Sequence, residues 1–268
     1  MKYTYARTVI PILFAIFLFS GCATKSGNWG SDATLLPGWK AVGHAAAEAA
    51  LDPLTWAPLG AALCFQVENF DRRVSEWAVD QTPVFGSTEN ASDVSDTLKE
   101  ASKINYYVTG VTVPTQEGWR GLGDRALGLG VGWVAMTSTA KVTDWMKAGF
   151  ARERPDKSDK RSLPSGHTSG ASVAATLAAQ NIGHMPIPRG LQLAWMGAAY
   201  GVAGLTGWAR VEAGVHYPSD VLTGFALGHF IGRFFNDAFI TPAYRDKVAV
   251  SVDALSRSDM ALSLHYRW

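Results

Sequence analysis

The sequence predicts an all-α protein, a single-domain helical bundle, and three observations support this prediction. Apolar residues recur at helical spacing in long segments between about residues 40 and 240. Turn-forming residues such as Pro, Gly and Asp separate these segments, and strand-like alternation appears only near the C-terminus. The roughly 200 residues of this region are enough for one domain with a substantial core. No second domain and no internal repeat is predicted.

The helical segments follow one another with recognisable boundaries. Asp52-Pro53 separates the first two segments, the turn around Pro83 ends the second, and Asn90 or Ser92 is the predicted N-cap of the third. In chain order, the predicted segments cover residues 45–51, 61–78, 90 or 92 to 108, 118–150, 165–182, 190–208 and 218–239. Asp96, Lys99 and Lys103 are predicted to form the exposed stripe of the third segment.

The segment at 190–208 raises the question of membrane insertion. Residues 191–208 are uncharged, and Gly201, Gly204 and Gly207 recur every third residue, so this helix offers a bare strip for close approach by another backbone. One marginal span does not make a polytopic protein, and the mean hydropathy of the chain is only +0.03. We therefore favour a bundle that lies on a membrane surface over a helical integral membrane protein.

The N-terminus predicts export and lipidation. Lys2 and Arg7 precede an apolar run that ends at Ser20-Gly21-Cys22, which is typical of a secretory signal and resembles a bacterial lipoprotein box. The predicted domain organisation is a signal peptide at 1–21, a lipid-anchored tether at 22–37 with Cys22 as the lipidated residue, the helical domain at 38–240 and a tail at 241–268. Ordinary signal cleavage is the alternative for this segment.

The predicted location is the periplasmic side of a bacterial envelope. Ala23 follows the cysteine where Asp would retain a lipoprotein in the inner membrane, so the resemblance implies the outer membrane. Loss of the signal peptide would leave 22 basic against 23 acidic residues, which gives no reason to expect a nucleic-acid partner. Cys64 would then be the only thiol, so an intrachain disulfide is excluded.

The tail predicts a short β-hairpin or a frayed end. Val248, Val250 and Val252 alternate with other residues, and Leu262 and Leu264 repeat the pattern before a terminal Trp. A terminal aromatic residue also ends outer-membrane barrel strands, but two strands cannot close a barrel.

Three motifs in fixed order carry the candidate chemistry. They are Lys-x6-Arg-Pro from Lys147 to Pro155, Pro-Ser-Gly-His at 164–167, and Arg-x5-His-x3-Asp from Arg210 to Asp220. Together they supply three permanent cations, two imidazoles and one carboxylate. Lys147, Arg154 and Arg210 are suited to bind the oxygens of a phosphate ester and to stabilise the charge of its transition state.

The second motif and the His-x3-Asp pair of the third supply the remaining parts of a phosphate site. Ser165 and Gly166 begin a helix, whose free N–H groups can cradle an anion, and His167 follows them in the position of a general acid. One helical turn separates His216 from Asp220, so the carboxylate can orient the imidazole as a nucleophile. No convincing third metal ligand accompanies this pair, and the three cations occupy the role that a metal would play. We therefore predict a site with no metal and no cofactor, which phosphate or vanadate could occupy.

These motifs resemble the three signature blocks of the type 2 phosphatidic acid phosphatase superfamily, whose relatives include bacterial acid phosphatases and vanadium haloperoxidases. The resemblance implies the helical bundle of that family and a phosphohistidine intermediate on His216, which water hydrolyses with the other histidine acting as base. One position departs from the pattern, because Ala209 precedes Arg210 where the family usually has Ser.

The leading functional prediction is a metal-independent phosphatase that acts on a phosphomonoester or diphosphate of a membrane lipid. Three alternatives remain open: an acid phosphatase for soluble phosphomonoesters, a vanadate-dependent haloperoxidase, and an envelope scaffold with a degenerate site. The expected partners are a phosphorylated lipid or small phosphoester and the membrane that holds the anchor. The oligomeric state is left open.

Overall fold

The computed structural model describes residues 29–242, 248–254 and 260–266. The predicted signal peptide, Cys22 and the first part of the tether lie outside the described residues. The described chain contains eight α-helices, which are α1 (Gly38–Leu51), α2 (Pro53–Cys64), α3 (Phe70–Gln81), α4 (Thr88–Thr112), α5 (Gly118–Phe150), α6 (Gly166–Gly183), α7 (Arg189–Glu212) and α8 (Pro218–Phe235). The prediction of an all-α bundle is confirmed.

Helix α6 is the central element of the bundle. It is buried on most of its surface, and its residues are mainly small, so α4, α5, α7 and α8 all pack against it. Val173, Ala174 and Leu177 of α6 form a core cluster with Tyr106 of α4 and Ile231 of α8. The Pro-Ser-Gly-His motif spans the start of α6, so the candidate site is built on the most buried helix of the described fold.

Helix α8 approaches α6 closely along a strip of glycines. A Cβ atom on Gly224 would lie 2.5 Å from the carbonyl oxygen of Ser165, and one on Gly228 would lie 2.3 Å from that of Ser169. These distances are too short for any side chain. The prediction placed the bare strip on the preceding helix, but Gly201 and Gly204 have open space beside them and only Gly207 is closely packed. The close contact that positions the motifs is therefore made by α8.

Several element boundaries differ from the prediction. The segment at 61–78 is two helices, because Glu68 and Asn69 adopt left-handed conformations with φ of 49° and 57° between α2 and α3. Helix α4 starts earlier than predicted, since the hydroxyl of Ser87 accepts the hydrogen bond from the backbone N–H of Asn90. The last predicted helix ends at Phe235 and continues as a π-helical turn, Asn236–Ile240.

A two-stranded antiparallel hairpin follows the helices. Strand β1 (Val248–Ala254) pairs with β2 (Met260–Tyr266), with Val250 opposite Leu264. The strand-like alternation at the C-terminus therefore corresponds to a hairpin rather than a frayed tail.

Among the described residues, none of the helices combines the length and the hydropathy that a membrane span requires. The uncharged stretch of α7 is included in this finding.

Candidate phosphate site

The first motif places two cations at the end of α5 and in the loop after it. Lys147 lies in the last turn of α5, and its buried ammonium donates a 2.6 Å hydrogen bond to the carbonyl oxygen of Arg161. Arg154 follows the helix and is held by Asp159, which accepts from its Nε at 2.7 Å. Burial, together with the charges of Arg154 and Arg161, lowers the pKa of Lys147 to about 8. The two cations of the motif are therefore close enough to repel each other.

The second motif begins α6. Ser165 is the buried N-cap residue, and its backbone N–H donates to the carbonyl oxygen of Asp220 at 3.0 Å. Gly166 is the first helical residue, and a Cβ atom placed on it would lie 3.8 Å from Cε of Lys147. The start of α6 therefore lies directly beside the Lys147 side chain, where helix N–H groups favour an anion.

His167 contacts a residue that the motifs do not contain. Its Nε2 lies 2.5 Å from Oδ1 of Asp96, on α4. Burial and the charge of Arg210 lower the pKa of His167 to about 4, although Asp96 opposes this shift. Asp96 was predicted to be part of an exposed stripe, and it is exposed, but it also serves as the partner of this histidine.

Arg210 lies near the end of α7 and is buried. One of its terminal nitrogens donates to the hydroxyl of Ser95 at 3.1 Å and to that of Ser92 at 3.4 Å, whereas its Nε has no hydrogen-bond partner within the described part of the chain. Burial and the charge of Arg154 lower the pKa of Arg210. The preceding Ala209 is fully buried, so this position contributes no hydroxyl and no exposed surface.

His216 and Asp220 are close but do not form the predicted hydrogen bond. Nδ1 of His216 lies 3.7 Å from Oδ2 of Asp220, and within the described residues this nitrogen has no hydrogen-bond partner. The Asp220 oxygens instead accept from Arg152, Ser162 and the backbone N–H of Tyr217 at 2.5–2.9 Å. The carboxylate therefore acts on the imidazole through its charge in this arrangement.

The protonation of this pair follows from its burial. Burial lowers the pKa of His216 to about 4, against the raising effect of Asp220, so the imidazole is neutral at pH 7. Burial also opposes ionisation of Asp220, but the neighbouring His216 ring, the charge of Arg152 and the Ser162 hydroxyl outweigh it and lower the pKa of that carboxyl. A neutral imidazole beside an ionised carboxylate is the state that a nucleophilic histidine needs.

Sequence reasoning missed a network behind Asp220. The guanidinium of Arg152 donates to Asp220 Oδ1 and to Asp71 Oδ2, each at 2.7 Å, and its carbon lies 4.2 Å from the centre of the Tyr217 ring. Asp71, on α3, also accepts from the backbone N–H of Ser219 at 2.9 Å. These residues join α3, the loop after α5 and the start of α8. Arg152 lies between the residues of a motif, but no local pattern connects it with Asp71.

A groove leads away from the site between α4, α5 and α6. It has a volume of about 580 Å³, and Lys147, Gly166 and His167 line one end of it. Trp133 lies 14 residues before Lys147 on α5, about 21 Å away along the helix axis, and it lines the groove together with Tyr107. The groove is therefore charged near the site and aromatic further away. The remaining lining residues are Lys99, Lys103, Met136, Thr137, Ala140, Thr143, Asp144, Ser169 and Gly170.

The structure brings the eight predicted catalytic and phosphate-binding residues into one region. Contacts or electrostatic effects connect Lys147 with Arg154 and Gly166, Arg210 with Arg154 and His167, and Asp220 with Ser165 and His216. The ninth predicted residue, Cys22, lies outside the described residues. The predicted roles of all nine remain predictions.

Comparison with known proteins identifies relatives of the region that carries these residues. The model of the PAP2 superfamily matches residues 133–241. A lipid A 1-phosphatase from Porphyromonas gingivalis is 39% identical over 88 residues, which cover 32% of this chain and 18% of that protein. The alignment thus spans less than a fifth of the relative's length.

A solved structure shares the fold. The crystal structure of a transmembrane PAP2-type phosphatidylglycerolphosphate phosphatase from Bacillus subtilis superimposes with a TM-score of 0.50 and 22% identity, covering 68% of this chain and 92% of the other. The family match contains all three motifs, from Lys147 to Asp220, and the resemblance predicted from them is confirmed. Residues 133–241, which carry the candidate site, are thus similar to the PAP2 superfamily.

Proposed function

We propose that the protein is a metal-independent phosphatase that hydrolyses a phosphomonoester or diphosphate of a membrane lipid through a phosphohistidine intermediate. The observation that carries this proposal is the position of the neutral, buried His216 among the cations of Lys147 and Arg210, both of which act on its pKa. The PAP2 superfamily match and the relative named a lipid A 1-phosphatase support assignment to the phosphatases.

In the first step, Nε2 of His216 attacks phosphorus, because Nδ1 faces Asp220. The bond from phosphorus to the ester oxygen breaks as the nitrogen–phosphorus bond forms, and His167 gives a proton to the departing oxygen. Lys147, Arg154 and Arg210 stabilise the charge on the phosphoryl oxygens, and ionised Asp220 stabilises the positive imidazole ring. The negative charge of the bound phosphate raises the pKa of His167 and so favours the protonated form needed for this step.

In the second step, water attacks the phosphohistidine. His167, now neutral, accepts the proton of the water, and the nitrogen–phosphorus bond breaks to release inorganic phosphate and neutral His216. No cofactor takes part in either step. Inorganic phosphate and vanadate are expected to occupy the same site and to inhibit the enzyme, and chelators are expected to leave turnover unchanged.

Formation and hydrolysis of the phosphoenzyme distinguish the proposed roles of the two histidines. His216→Ala should form no phosphoenzyme and show no turnover, whereas His167→Asn should accumulate phosphoenzyme with a good leaving group because its hydrolysis lacks a base. Rapid quenching with ³²P-labelled aryl phosphate measures both. His184→Ala is the control, since the only hydrogen bond of the His184 side chain within the described fold is with the Gln180 carbonyl. Turnover by folded His216→Ala would refute the proposed nucleophile.

The lining of the groove supports a lipid substrate. The groove joins the phosphate site to Tyr107 and Trp133, which suits a molecule with a charged head and an apolar tail. The relative kcat/KM for detergent-dispersed phosphatidic acid and for a small aryl phosphate tests this assignment. A preference for the aryl phosphate would identify a phosphatase for soluble phosphomonoesters.

The proposed location is the periplasmic side of the envelope, with Cys22 lipidated and the chain divided as the sequence predicts. Helix α2 contains no charged residue and exposes Trp56, Leu59 and Leu63, and Trp39 of α1 is 89% exposed. The tether is shorter than the sequence predicts, because Trp29 is buried in the core and its backbone N–H donates to the Pro114 carbonyl. Only residues 23–28 separate Cys22 from Trp29, and they reach at most about 25 Å, so the anchor keeps the protein near the bilayer. Incorporation of labelled palmitate, and its loss in Cys22→Ser, tests the anchor, and membrane fractionation tests the outer-membrane location.

A further inference from the structure

The groove beside the phosphate site carries two lysines that the proposed mechanism does not use. Lys99 and Lys103 lie on α4 one turn apart, and both line the groove. Helix geometry places Lys99 about 5 Å and Lys103 about 10 Å along the axis from Asp96, which contacts His167. The two ammonium groups are therefore within side-chain reach of the space directly outside the phosphate site.

The surface of α6 beside Lys99 has no side chain at Gly170, which leaves room for the lysine. A Cβ atom on Gly170 of α6 would lie 3.9 Å from Cε of Lys99, so the end of the lysine side chain reaches the second turn of α6. Both lysines are partly buried, with 26% and 35% of their side chains exposed. Their stems are thus held along the groove wall, which leaves the ammonium groups at its surface.

The charges that line this part of the groove favour an anion. The groove lining contains three lysines, Lys99, Lys103 and Lys147, and one carboxylate, Asp144. The Asp144 carboxylate is paired with Arg161 at 3.0 Å. Glu100 lies beside the groove lining, 2.8 Å from Lys103 and 4.0 Å from Lys99. It is 57% exposed, and exposed pairs of this kind are weak, so an entering phosphate can displace Glu100 from both lysines.

Resting on the phosphatase function proposed above, we propose that Lys99 and Lys103 form a second anion subsite and that the preferred substrate is a lipid with two phosphate groups. One phosphate lies at His216 and is removed. The other lies against Lys99 and Lys103, and the apolar chain continues toward Tyr107 and Trp133. A substrate with one phosphate leaves the lysines without a ligand.

Farnesyl phosphate and farnesyl diphosphate test this subsite, because they have the same tail. Lys99→Ala/Lys103→Ala should lower kcat/KM about tenfold more for the diphosphate than for the monophosphate, since one charge-assisted contact is worth about that factor. Glu100→Gln should change the ratio in the opposite direction, by about two- to threefold, because it removes the competing carboxylate. A purely structural role of α4 would not produce opposite changes.

Lys141→Ala is the control for the loss of a lysine outside the groove, because Lys141 is exposed on α5 and does not line the groove. Equal losses for the two substrates in the double variant, or no rise in the ratio for Glu100→Gln, would overturn the subsite. Hydrolysis of neither substrate by the wild type would instead refute the proposed phosphatase. In that case calorimetric binding of inorganic diphosphate against orthophosphate decides on the subsite: a preference lost in the double variant supports it, and equal binding overturns it.

Discussion

Arg152 donates a 2.7 Å hydrogen bond to Oδ1 of Asp220, so the carboxylate beside His216 has a fixed cation as its counterion. The same guanidinium donates to Asp71 at 2.7 Å, and 26% of the Arg152 side chain is exposed. Asp220 itself is fully buried. The orientation of the Asp220 carboxylate thus depends on a residue that is not one of the predicted site residues.

Replacing Arg152 by Gln should destabilise the fold and slow turnover. Two buried carboxylates would lose their shared cation, which costs about 3 kcal/mol in the free energy of unfolding. The part of this loss that acts through Asp220 should shrink as the pH falls toward the lowered pKa of this carboxyl, because a protonated carboxyl needs no counterion. Denaturant unfolding at pH 7 and pH 3 measures it. Arg161→Gln is the control, since its exposed pair with Asp144 is worth less than about 1 kcal/mol, and equal losses in both variants would contradict this role.

The contact between Asp96 and His167 predicts a dependence on the leaving group. Asp96 raises the pKa of His167, so Asp96→Asn should leave the histidine less protonated and weaken it as a general acid. The variant should therefore lose roughly tenfold more kcat/KM with an alkyl phosphate than with p-nitrophenyl phosphate, whose leaving group needs little protonation. Asp93→Asn, on an exposed position of the same helix, is the control. The same loss with both substrates would argue against an effect through His167.

The sequence was informative where interacting residues are close along the chain. His216 and Asp220 are one helical turn apart, so their proximity was predictable, as were the helix start at Gly166 and the full extent of α5. The partners of Asp220 were not predictable in the same way. Asp71 is 81 residues from Arg152 and 148 from Ser219, and only the packing of α3 against the start of α8 brings them together.

The lining of the groove could not be predicted from the sequence for the same reason. Lys99 and Lys103 have the spacing of an exposed helix face, so the sequence pattern predicted that they are exposed to solvent. They line the groove because α5 and α6 pack beside α4, which the sequence of α4 does not specify. The break at Glu68 and Asn69 was missed for a different reason, since neither residue type requires a left-handed backbone.

Because the pKa of Lys147 is lowered, phosphate binding should weaken at basic pH, and the pH profile of binding should have a basic limb. Raising the pH through about 8 removes the ammonium charge, so the inhibition constant of inorganic phosphate should rise by about tenfold per pH unit above that value. Lys147→Arg keeps its charge throughout this range and should lack the limb, although its geometry differs. Inhibition measured from pH 6 to 10 tests this. A limb that persists in the arginine variant would assign the titration to another group.

The exposed tryptophans of α1 and α2 predict binding to bilayers without the anchor. A form that starts at residue 23 should bind vesicles, and Trp39→Ala/Trp56→Ala should weaken that binding by at least about tenfold, since each buried Trp contributes on the order of 1.5–3 kcal/mol. Sedimentation with phosphatidylglycerol vesicles measures the partition. Trp119→Ala is the control, because Trp119 is 78% exposed at the start of α5. An equal loss in this variant would show that the α1–α2 surface has no special role.

Ala209 marks the position where the family pattern has a hydroxyl, and Ala209→Ser should strengthen phosphate binding. One added hydrogen bond to a charged phosphate contributes on the order of 1–3 kcal/mol, so the inhibition constant of inorganic phosphate should fall by about fivefold or more. The added oxygen must fit a fully buried position next to Arg210, and thermal unfolding checks that it does. Ala203→Ser, two turns earlier in α7 and also fully buried, controls for the effect of a buried hydroxyl. Unchanged binding in a stable Ala209→Ser variant would mean that other groups, such as the Arg210 guanidinium, already satisfy the phosphate oxygens.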